Sequence, residues 1–208
     1  MRVKTLAMLF GMALLSALPS WASTISFADC STVVGSKPVT CSGGLNNLTS
    51  ITYASGIVAT GYHWDGTWGY TALAIKNAGP DETGLGVLID PSGDNEITTF
   101  DAISLDLSVL GNTGAWLNME SITGDSFGYC FGTSAISNCT TSLVSGLTTG
   151  SVWINISSAN PFLYVTASSG NVLVSSITVP DVPEPSSMLL LGSGLFGLAG
   201  VVRRKISR

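Results

Sequence analysis

The feature of this sequence that most constrains its fold is a period-two alternation of apolar and polar residues in short segments. Ile103, Leu105 and Leu107 alternate with serine and aspartate, and residues 127–131 and 152–156 follow the same pattern. Such alternation places apolar side chains on one face of an extended strand. Similar short segments rich in β-branched or aromatic residues cover 24–27, 49–54, 57–62, 71–76, 86–89, 96–100, 115–120, 162–167 and 172–179.

Turn-forming residues bound these segments, and no long stretch of residues 23–179 shows a helical period. We therefore predict an all-β protein with a single β-sandwich domain of about ten strands over residues 23–179, of jelly-roll type. The Ser/Thr-rich segment 132–151 is predicted to be a loop.

Residues 1–22 have the order of a secretory signal peptide. Arg2 and Lys4 precede an apolar stretch at 6–18, and small residues follow at Ser20 and Ala22. The apolar stretch is too short for a retained membrane span. We predict export through the Sec translocon with cleavage after Ala22, so that the body of the protein lies in an oxidising compartment.

The C-terminal segment divides into three parts. Residues 180–187 form a proline-rich linker, residues 188–202 carry no charge, and residues 203–208 are basic. As a helix, the uncharged part spans about 22 Å, which is shorter than a hydrocarbon core of about 30 Å. We predict a short transmembrane helix at 188–202 that suits a transient role better than permanent anchoring. The basic residues that hold the tail in the cytoplasm are Arg203, Arg204, Lys205 and Arg208.

Val182 followed by Pro183-Glu184-Pro185, the apolar segment and the terminal basic cluster resemble the PEP-CTERM sorting signal of Gram-negative bacteria. The resemblance covers residues 182–208. It implies recognition and processing by an exosortase, and an association with exopolysaccharide and biofilm formation. The expected course is export across the inner membrane, a membrane-anchored precursor, and then the cell surface or the extracellular space. An ordinary tail anchor is the alternative interpretation.

The charge of the body excludes one class of partner. Residues 23–180 contain eleven acidic residues against two basic residues, Lys37 and Lys76, which leaves a net charge of −9. Such a body repels phosphate backbones, so we predict no binding to nucleic acid.

The body also contains four cysteines, Cys30, Cys41, Cys130 and Cys139, which allow three pairings. The short sequence separations favour the local disulfides Cys30–Cys41 and Cys130–Cys139. A zinc site is the disfavoured alternative, because no Cys-x-x-Cys spacing occurs.

Aromatic residues are densest in residues 62–70, which contain two tyrosines and two tryptophans. On one continuous strand all four would share a face and could stack on sugar rings. However, Asp65-Gly66 predicts a two-residue hairpin loop, in which Trp64 and Trp68 lie on opposite faces. We therefore favour aromatics that fill the core and its rim, and keep Trp64 and Trp68 as candidate sugar-binding residues.

Carboxylates concentrate in residues 81–97. Asp90, Asp94 and Glu96 could ligate Ca²⁺ through their oxygens, although the spacing is not that of an EF-hand. A solvated turn between strands at 86–89 and 96–100 is the favoured alternative. We predict no metal centre and no cofactor, with Ca²⁺ kept as an option.

Catalytic motifs are not evident. His63 is the only histidine, and the sequence has neither a Gly-x-Ser-x-Gly elbow nor a His-Glu-x-x-His helix. We therefore predict that the protein is not an enzyme but a structural or adhesive protein of the cell surface or exopolysaccharide matrix. The alternative is a carbohydrate- or calcium-binding β-sandwich module, and an enzyme acting on polysaccharide is least favoured.

Overall fold

The computed structural model describes residues 22–36, 38, 40–41, 47–79, 82–88, 95–121, 125–134, 143–180 and 193–194. Ser23–Val179 forms one compact unit. The predicted signal peptide and nearly all of the predicted linker, membrane helix and basic tail fall outside the described residues and stay predictions. Among the residues that are described, no helix is both long enough and apolar enough to cross a membrane.

The compact unit is all-β, as the alternation predicts. Its strands are β1 (Ser23–Ser26), β2 (Val33–Val34), β3 (Ser50–Tyr53), β4 (Val58–Trp64), β5 (Trp68–Thr71), β6 (Leu73–Asn77), β7 (Thr83–Val87), β8 (Asp101–Asp106), β9 (Thr113–Glu120), β10 (Ser126–Gly132), β11 (Val144–Thr148), β12 (Gly150–Ile156), β13 (Phe162–Ser169) and β14 (Leu173–Val179). Two short 3-10 turns, Cys30–Thr32 and Ser108–Leu110, complete the elements.

The strands form two antiparallel sheets. One has six strands in the order β12-β9-β14-β7-β6, with β1 paired to β14 as well. The other has eight strands in the order β11-β10-β13-β8-β4-β3-β2, with β5 paired to β4. Strands that are consecutive in sequence therefore often lie in different sheets, and the chain crosses repeatedly from one sheet to the other.

Both sheets contribute to one hydrophobic core. Leu117 and Ile177 of the six-stranded sheet and Ile103 and Leu163 of the eight-stranded sheet are fully buried and belong to the same cluster. Burying a side chain of this size stabilises the fold by about 1.5–3 kcal/mol. Two sheets that share one core give a β-sandwich-like fold.

Two sequence predictions about strands are wrong. Residues 132–151, predicted to be a loop, contain β11. This strand lies at the edge of its sheet, where few side chains are buried, so its sequence lacks the apolar alternation of the other strands. Residues 96–100 form no strand, and only Ile97 makes an isolated bridge, to Val172.

The strand predicted at 86–89 begins and ends earlier, as β7. Leu85 and Val87 are buried but alternate with Gly84 and Gly86, which blurs the pattern. A Cβ at Gly86 would lie 2.1 Å from the carbonyl oxygen of Asn95, so this close backbone approach requires glycine.

The predicted disulfide between Cys30 and Cys41 is confirmed, with a Cα–Cα distance of 5.8 Å. Cys130 is also disulfide-bonded. Its predicted partner, Cys139, lies outside the described residues.

Candidate functional site

The β4–β5 hairpin corrects the predicted aromatic arrangement. Trp64 pairs with Trp68, so the loop has three residues rather than two. The Asp65 backbone N–H donates to the Thr67 carbonyl at 3.3 Å, and the Thr67 N–H donates to the Asp65 carboxylate at 3.4 Å. Gly66 has a φ of 106°, which favours glycine. The aspartate side chain thus helps to close a longer loop than the Asp-Gly pair alone predicts.

This one-residue difference changes which side chains share a face, because side chains alternate along a strand. Tyr62 pairs with Tyr70 and Trp64 with Trp68, so all four rings lie on the outer face of the eight-stranded sheet. The ring centroids are 5.2 Å apart in the tyrosine pair and 5.4 Å apart in the tryptophan pair. The predicted split of the aromatics between two faces is wrong. We call these four side chains the hairpin patch.

Three of the four side chains of the hairpin patch are exposed to solvent. The exposed fractions are 42% for Trp64, 38% for Trp68 and 69% for Tyr70, whereas Tyr62 is buried. Burial, followed by the neighbouring Tyr70 and Tyr164, raises the pKa of Tyr62 to about 12. The patch therefore presents flat aromatic surface to solvent, mainly from Trp64, Trp68 and Tyr70.

His63 lies on the opposite face of the same strand and contacts Asp101. Its Nδ1 is 2.8 Å from the Asp101 carboxylate, which is fully buried. The second carboxylate oxygen accepts a hydrogen bond from the Thr98 hydroxyl at 2.5 Å. Within the part of the chain that the structure describes, no serine, threonine or cysteine side chain is hydrogen-bonded to His63. The pair fixes the end of the sheet and orients the imidazole.

Of the three proposed calcium ligands, only Glu96 lies in the described residues. Glu96 is buried, and its carboxylate accepts a hydrogen bond from the Lys76 ammonium at 2.7 Å. The Lys76 ammonium thus already neutralises the Glu96 charge through Oε1. Asp90 and Asp94 lie outside the described residues. In the described ranges no group of three or more His, Cys, Asp or Glu side chains is placed to hold a metal ion.

A second tryptophan pair was missed by the sequence reasoning. Trp116 of β9 and Trp153 of β12 are cross-strand neighbours on the outer face of the six-stranded sheet. The available signal was their position on the polar side of two alternating segments, since Leu117 and Ile154 point into the core. A tryptophan at an outward-facing position of a strand leaves apolar surface exposed to solvent, which makes it a candidate for ligand contact.

Comparison with known protein families identifies a sorting motif in the C-terminal segment of this chain. Residues 181–205 match the family model of the PEP-CTERM protein-sorting motif. No curated protein and no solved structure matches significantly. The matched residues include the predicted motif and the first three residues of the basic cluster: Val182, Pro183, Glu184, Pro185, Arg203, Arg204 and Lys205. The chain therefore carries a PEP-CTERM protein-sorting motif, which confirms the predicted resemblance and supports a secreted protein that is sorted by an exosortase.

Proposed function

We propose that this is a non-enzymatic structural or adhesive protein of the cell surface or the exopolysaccharide matrix. The sorting motif at residues 181–205 carries the proposal, because it implies export, a membrane-anchored precursor and processing by an exosortase. The Sec translocon would export the chain, and the C-terminal helix would hold it in the membrane until processing. The compact β unit that precedes the motif would be the part delivered to the outside.

The strand order supports a jelly-roll domain for this role. Strands β7 to β14 alternate so that one sheet contains β7-β14-β9-β12 and the other contains β8-β13-β10-β11. This is the order of eight strands folded as two interleaved Greek keys.

The geometry around His63 supports a non-enzymatic role. A catalytic histidine normally lies within hydrogen-bond reach of a nucleophile or of the proton it transfers. The buried Asp101 carboxylate holds the Nδ1 of His63, but among the described residues no serine, threonine or cysteine side chain is hydrogen-bonded to the imidazole. The contact follows from the pairing of β4 with β8, in which His63 lies opposite Asp101.

Carbohydrate binding through the hairpin patch is the second candidate function. The observation that favours it is the common face of Tyr62, Trp64, Trp68 and Tyr70, because pyranose rings pack their apolar faces on flat aromatic surface. The exposed indoles of Trp64 and Trp68 would supply most of the contact. Calcium binding is less favoured, because Glu96 already pairs with Lys76.

The sorting proposal is tested by Glu184→Ala in a host that encodes an exosortase. We expect the variant to remain unprocessed in the membrane, and the wild-type chain to lose its tail. Intact-protein mass and cell fractionation report the two outcomes. A matched control is Asp181→Ala, which lies outside the Pro-Glu-Pro core. Normal processing of the Glu184 variant would contradict the proposed role of this motif.

The carbohydrate proposal is tested by glycan-array binding with and without EDTA, using wild type and the Trp64→Ala/Trp68→Ala variant. We expect wild type to bind in EDTA and the double variant to lose most of that binding. A melting temperature raised by Ca²⁺ would favour the calcium alternative instead. Equal binding by both proteins would remove the hairpin patch as the site, and glycan cleavage would overturn the non-enzymatic assignment.

A further inference from the structure

The tryptophans of the compact unit share an unusual placement. Apart from Trp21 in the predicted signal peptide, the chain has four, and each is at least 38% exposed. Tryptophan is on average a highly buried residue, so two pairs of exposed indoles are candidate binding surfaces. They form two cross-strand pairs, one on each sheet, of which only the Trp64–Trp68 pair belongs to the hairpin patch.

The second pair lies in an ordered surface that crosses four strands. In register across β12, β9, β14 and β1 lie Trp153, Trp116, Thr178 and Thr24. The adjacent outward row is Ser151, Asn118, Ser176 and Ser26. Strands are about 4.8 Å apart, so each row is about 14 Å wide. We call these two rows the tryptophan–amide face.

Contacts hold the indoles of this face in place. The Trp116 and Trp153 ring centroids are 5.2 Å apart, with an interplanar angle of 72°. The Trp153 Nε1 donates to the Asn155 side-chain oxygen at 3.2 Å. The same ring covers Gly114, where a Cβ would lie 1.9 Å from its Cζ2. A ring fixed before binding loses little conformational entropy when a ligand stacks on it.

The polar row is equally well ordered. Ser151 Oγ donates to Asn118 Oδ1 at 2.5 Å, and Asn118 Nδ2 donates to Ser176 Oγ at 2.9 Å. Thr24 and Thr178 share a hydroxyl–hydroxyl hydrogen bond of 3.1 Å. Each group is neutral and can both donate and accept hydrogen bonds. Such groups match the hydroxyls of a sugar.

The charge of the tryptophan–amide face favours a neutral sugar ligand over an anionic polymer. Glu120 points to the same side of β9 as Asn118, two residues further along, and accepts hydrogen bonds from the Thr83 N–H and the Ser175 hydroxyl. Lys76 of β6 pairs with Glu96. No charged residue stands in the two rows. An anionic polymer would find no cation there, in a body of net charge −9.

A second copy of the chain is a weak fit. Two indoles exposed by about 40% offer roughly 200 Å² of apolar surface in total, whereas a stable protein interface buries about 800 Å² on each partner. The rest of the face is hydroxyl and amide. A polymer that stacks on two rings and hydrogen-bonds along a row fits this arrangement better.

We propose that the tryptophan–amide face binds a neutral polysaccharide. Pyranose rings stack on Trp116 and Trp153, and their hydroxyls hydrogen-bond to the row that contains Asn118 and Ser151. The site is separate from the hairpin patch and does not depend on carbohydrate binding there.

Affinity electrophoresis of the full chain tests this site in four separate gels, each with one neutral polysaccharide: laminarin, hydroxyethylcellulose, dextran or galactomannan. A fifth gel with alginate is the anionic control. The proteins compared are wild type, Trp116→Ala/Trp153→Ala, Asn118→Ala and the matched pair variant Trp64→Ala/Trp68→Ala. We expect retardation of wild type in at least one gel and an affinity reduced about tenfold or more in the Trp116/Trp153 variant, because aromatic anchors carry most of the affinity of such surfaces. The Asn118 variant should weaken binding less, and the Trp64/Trp68 variant should retain it.

Several results would overturn the proposal. These are equal retardation of wild type and the Trp116/Trp153 variant, no retardation in any of the four gels, or retardation only in an alginate gel. Loss of all binding in the Trp64/Trp68 variant would assign the glycan to the hairpin patch instead. Pair-dependent binding to phosphatidylcholine vesicles, or pair-dependent dimerisation in sedimentation, would assign the face to a membrane or a second copy. Circular dichroism and melting temperature verify that each variant is folded.

Discussion

At the scale of single residues, Lys76 and Glu96 form a nearly buried ion pair at the edge of the six-stranded sheet. The side chains are 15% and 4% exposed, and Nζ is 2.7 Å from Oε1. A buried pair of this kind is sensitive to the loss of one partner, because the remaining charge is then buried without compensation. Glu82 is a more exposed second partner of the same lysine, at 3.5 Å.

We expect Lys76→Met to lower the free energy of unfolding by about 3 kcal/mol. Adding Glu96→Gln to that variant should recover part of the loss, because the unpaired buried charge is removed. The control Glu82→Gln should change stability by less than about 1 kcal/mol. Urea denaturation followed by fluorescence measures all three. Equal effects of Glu82→Gln and Lys76→Met would contradict a dominant Lys76–Glu96 contact.

The backbone of Asn95 lies so close to Gly86 that a side chain at this position should destabilise the protein. Gly86→Ala should destabilise the protein by about 1–3 kcal/mol or more, because its Cβ would meet the Asn95 carbonyl oxygen rather than a movable side chain. Gly69→Ala is the matched control in another strand, since nothing lies within 4 Å of its Cβ position. We expect the control to change stability by less than about 0.5 kcal/mol in urea denaturation. Similar losses in both variants would point to strand propensity rather than to the contact.

The buried hydroxyl of Tyr62 gives a pH prediction. Burial, Tyr70 and Tyr164 raise the pKa of Tyr62 from its ordinary value of about 10 to about 12. A raised pKa means that the folded state favours the neutral phenol. The associated stability is complete below about pH 10 and is lost as the pH rises to about 12.

Unfolding free energies measured in urea between about pH 9 and pH 12 check this sign. Tyr62→Phe should flatten part of the decline, because it removes the ionisable group and keeps the ring. An unchanged slope in Tyr62→Phe would assign the decline to other groups. Burial also raises the pKa values of Tyr53 and Tyr164, so some decline should persist in the variant.

At the scale of elements, the Cys30–Cys41 disulfide secures the segment between β1 and β3. The bridge spans eleven positions of sequence, and β2 contributes only Val33 and Val34 to the sheet. Such a short strand contributes few hydrogen bonds. The segment lies over the core pair of Phe27 and Tyr53, whose ring centroids are 5.0 Å apart.

Replacing both cysteines, as Cys30→Ala/Cys41→Ala, should lower the free energy of unfolding by about 2–3 kcal/mol, because the unfolded chain regains the entropy that the closed loop removes. Denaturant unfolding under oxidising conditions measures the difference. Reducing agent should destabilise wild type more than the double variant. A variant as stable as wild type would show that packing alone holds the segment.

At the scale of the whole molecule, the two tryptophan pairs lie on the outer faces of the two different sheets. If both pairs bind sugar, as proposed for each above, one molecule would bridge two polysaccharide chains. The gain would come from multivalency rather than from a tighter single site.

We therefore expect the full chain to raise the low-shear viscosity of the neutral polysaccharide that retards it most in affinity electrophoresis. Trp64→Ala/Trp68→Ala and Trp116→Ala/Trp153→Ala should each abolish this increase, although only one site is removed in either case. A viscosity increase that persists in one of these variants would show that the remaining pair, or another surface, is sufficient for bridging.

Much of the fold could be predicted because an alternating pattern depends only on neighbours in sequence. Ile103 and Leu105, Ile154 and Ile156 point inward as expected, and the sequence also predicted the pairing of Cys30 with Cys41. β11 could not be predicted, because its residues show no alternation of apolar and polar side chains. It is a strand because its backbone pairs with β10. The sorting motif could be identified without tertiary structure, because it is a short linear segment of sequence.

The candidate sites were harder to predict because their geometry depends on register. The side chain of Asp65 closes a three-residue loop, and one residue of loop length moves Trp68 and Tyr70 onto the face of Trp64. Trp116 and Trp153 are 37 positions apart in sequence and meet only because β9 and β12 pair. By itself the sequence determined the all-β class, the acidic body and the sorting motif, which follow from local pattern and composition. Only the tertiary structure decided which aromatic rings stand together, because strand register is a property of paired strands.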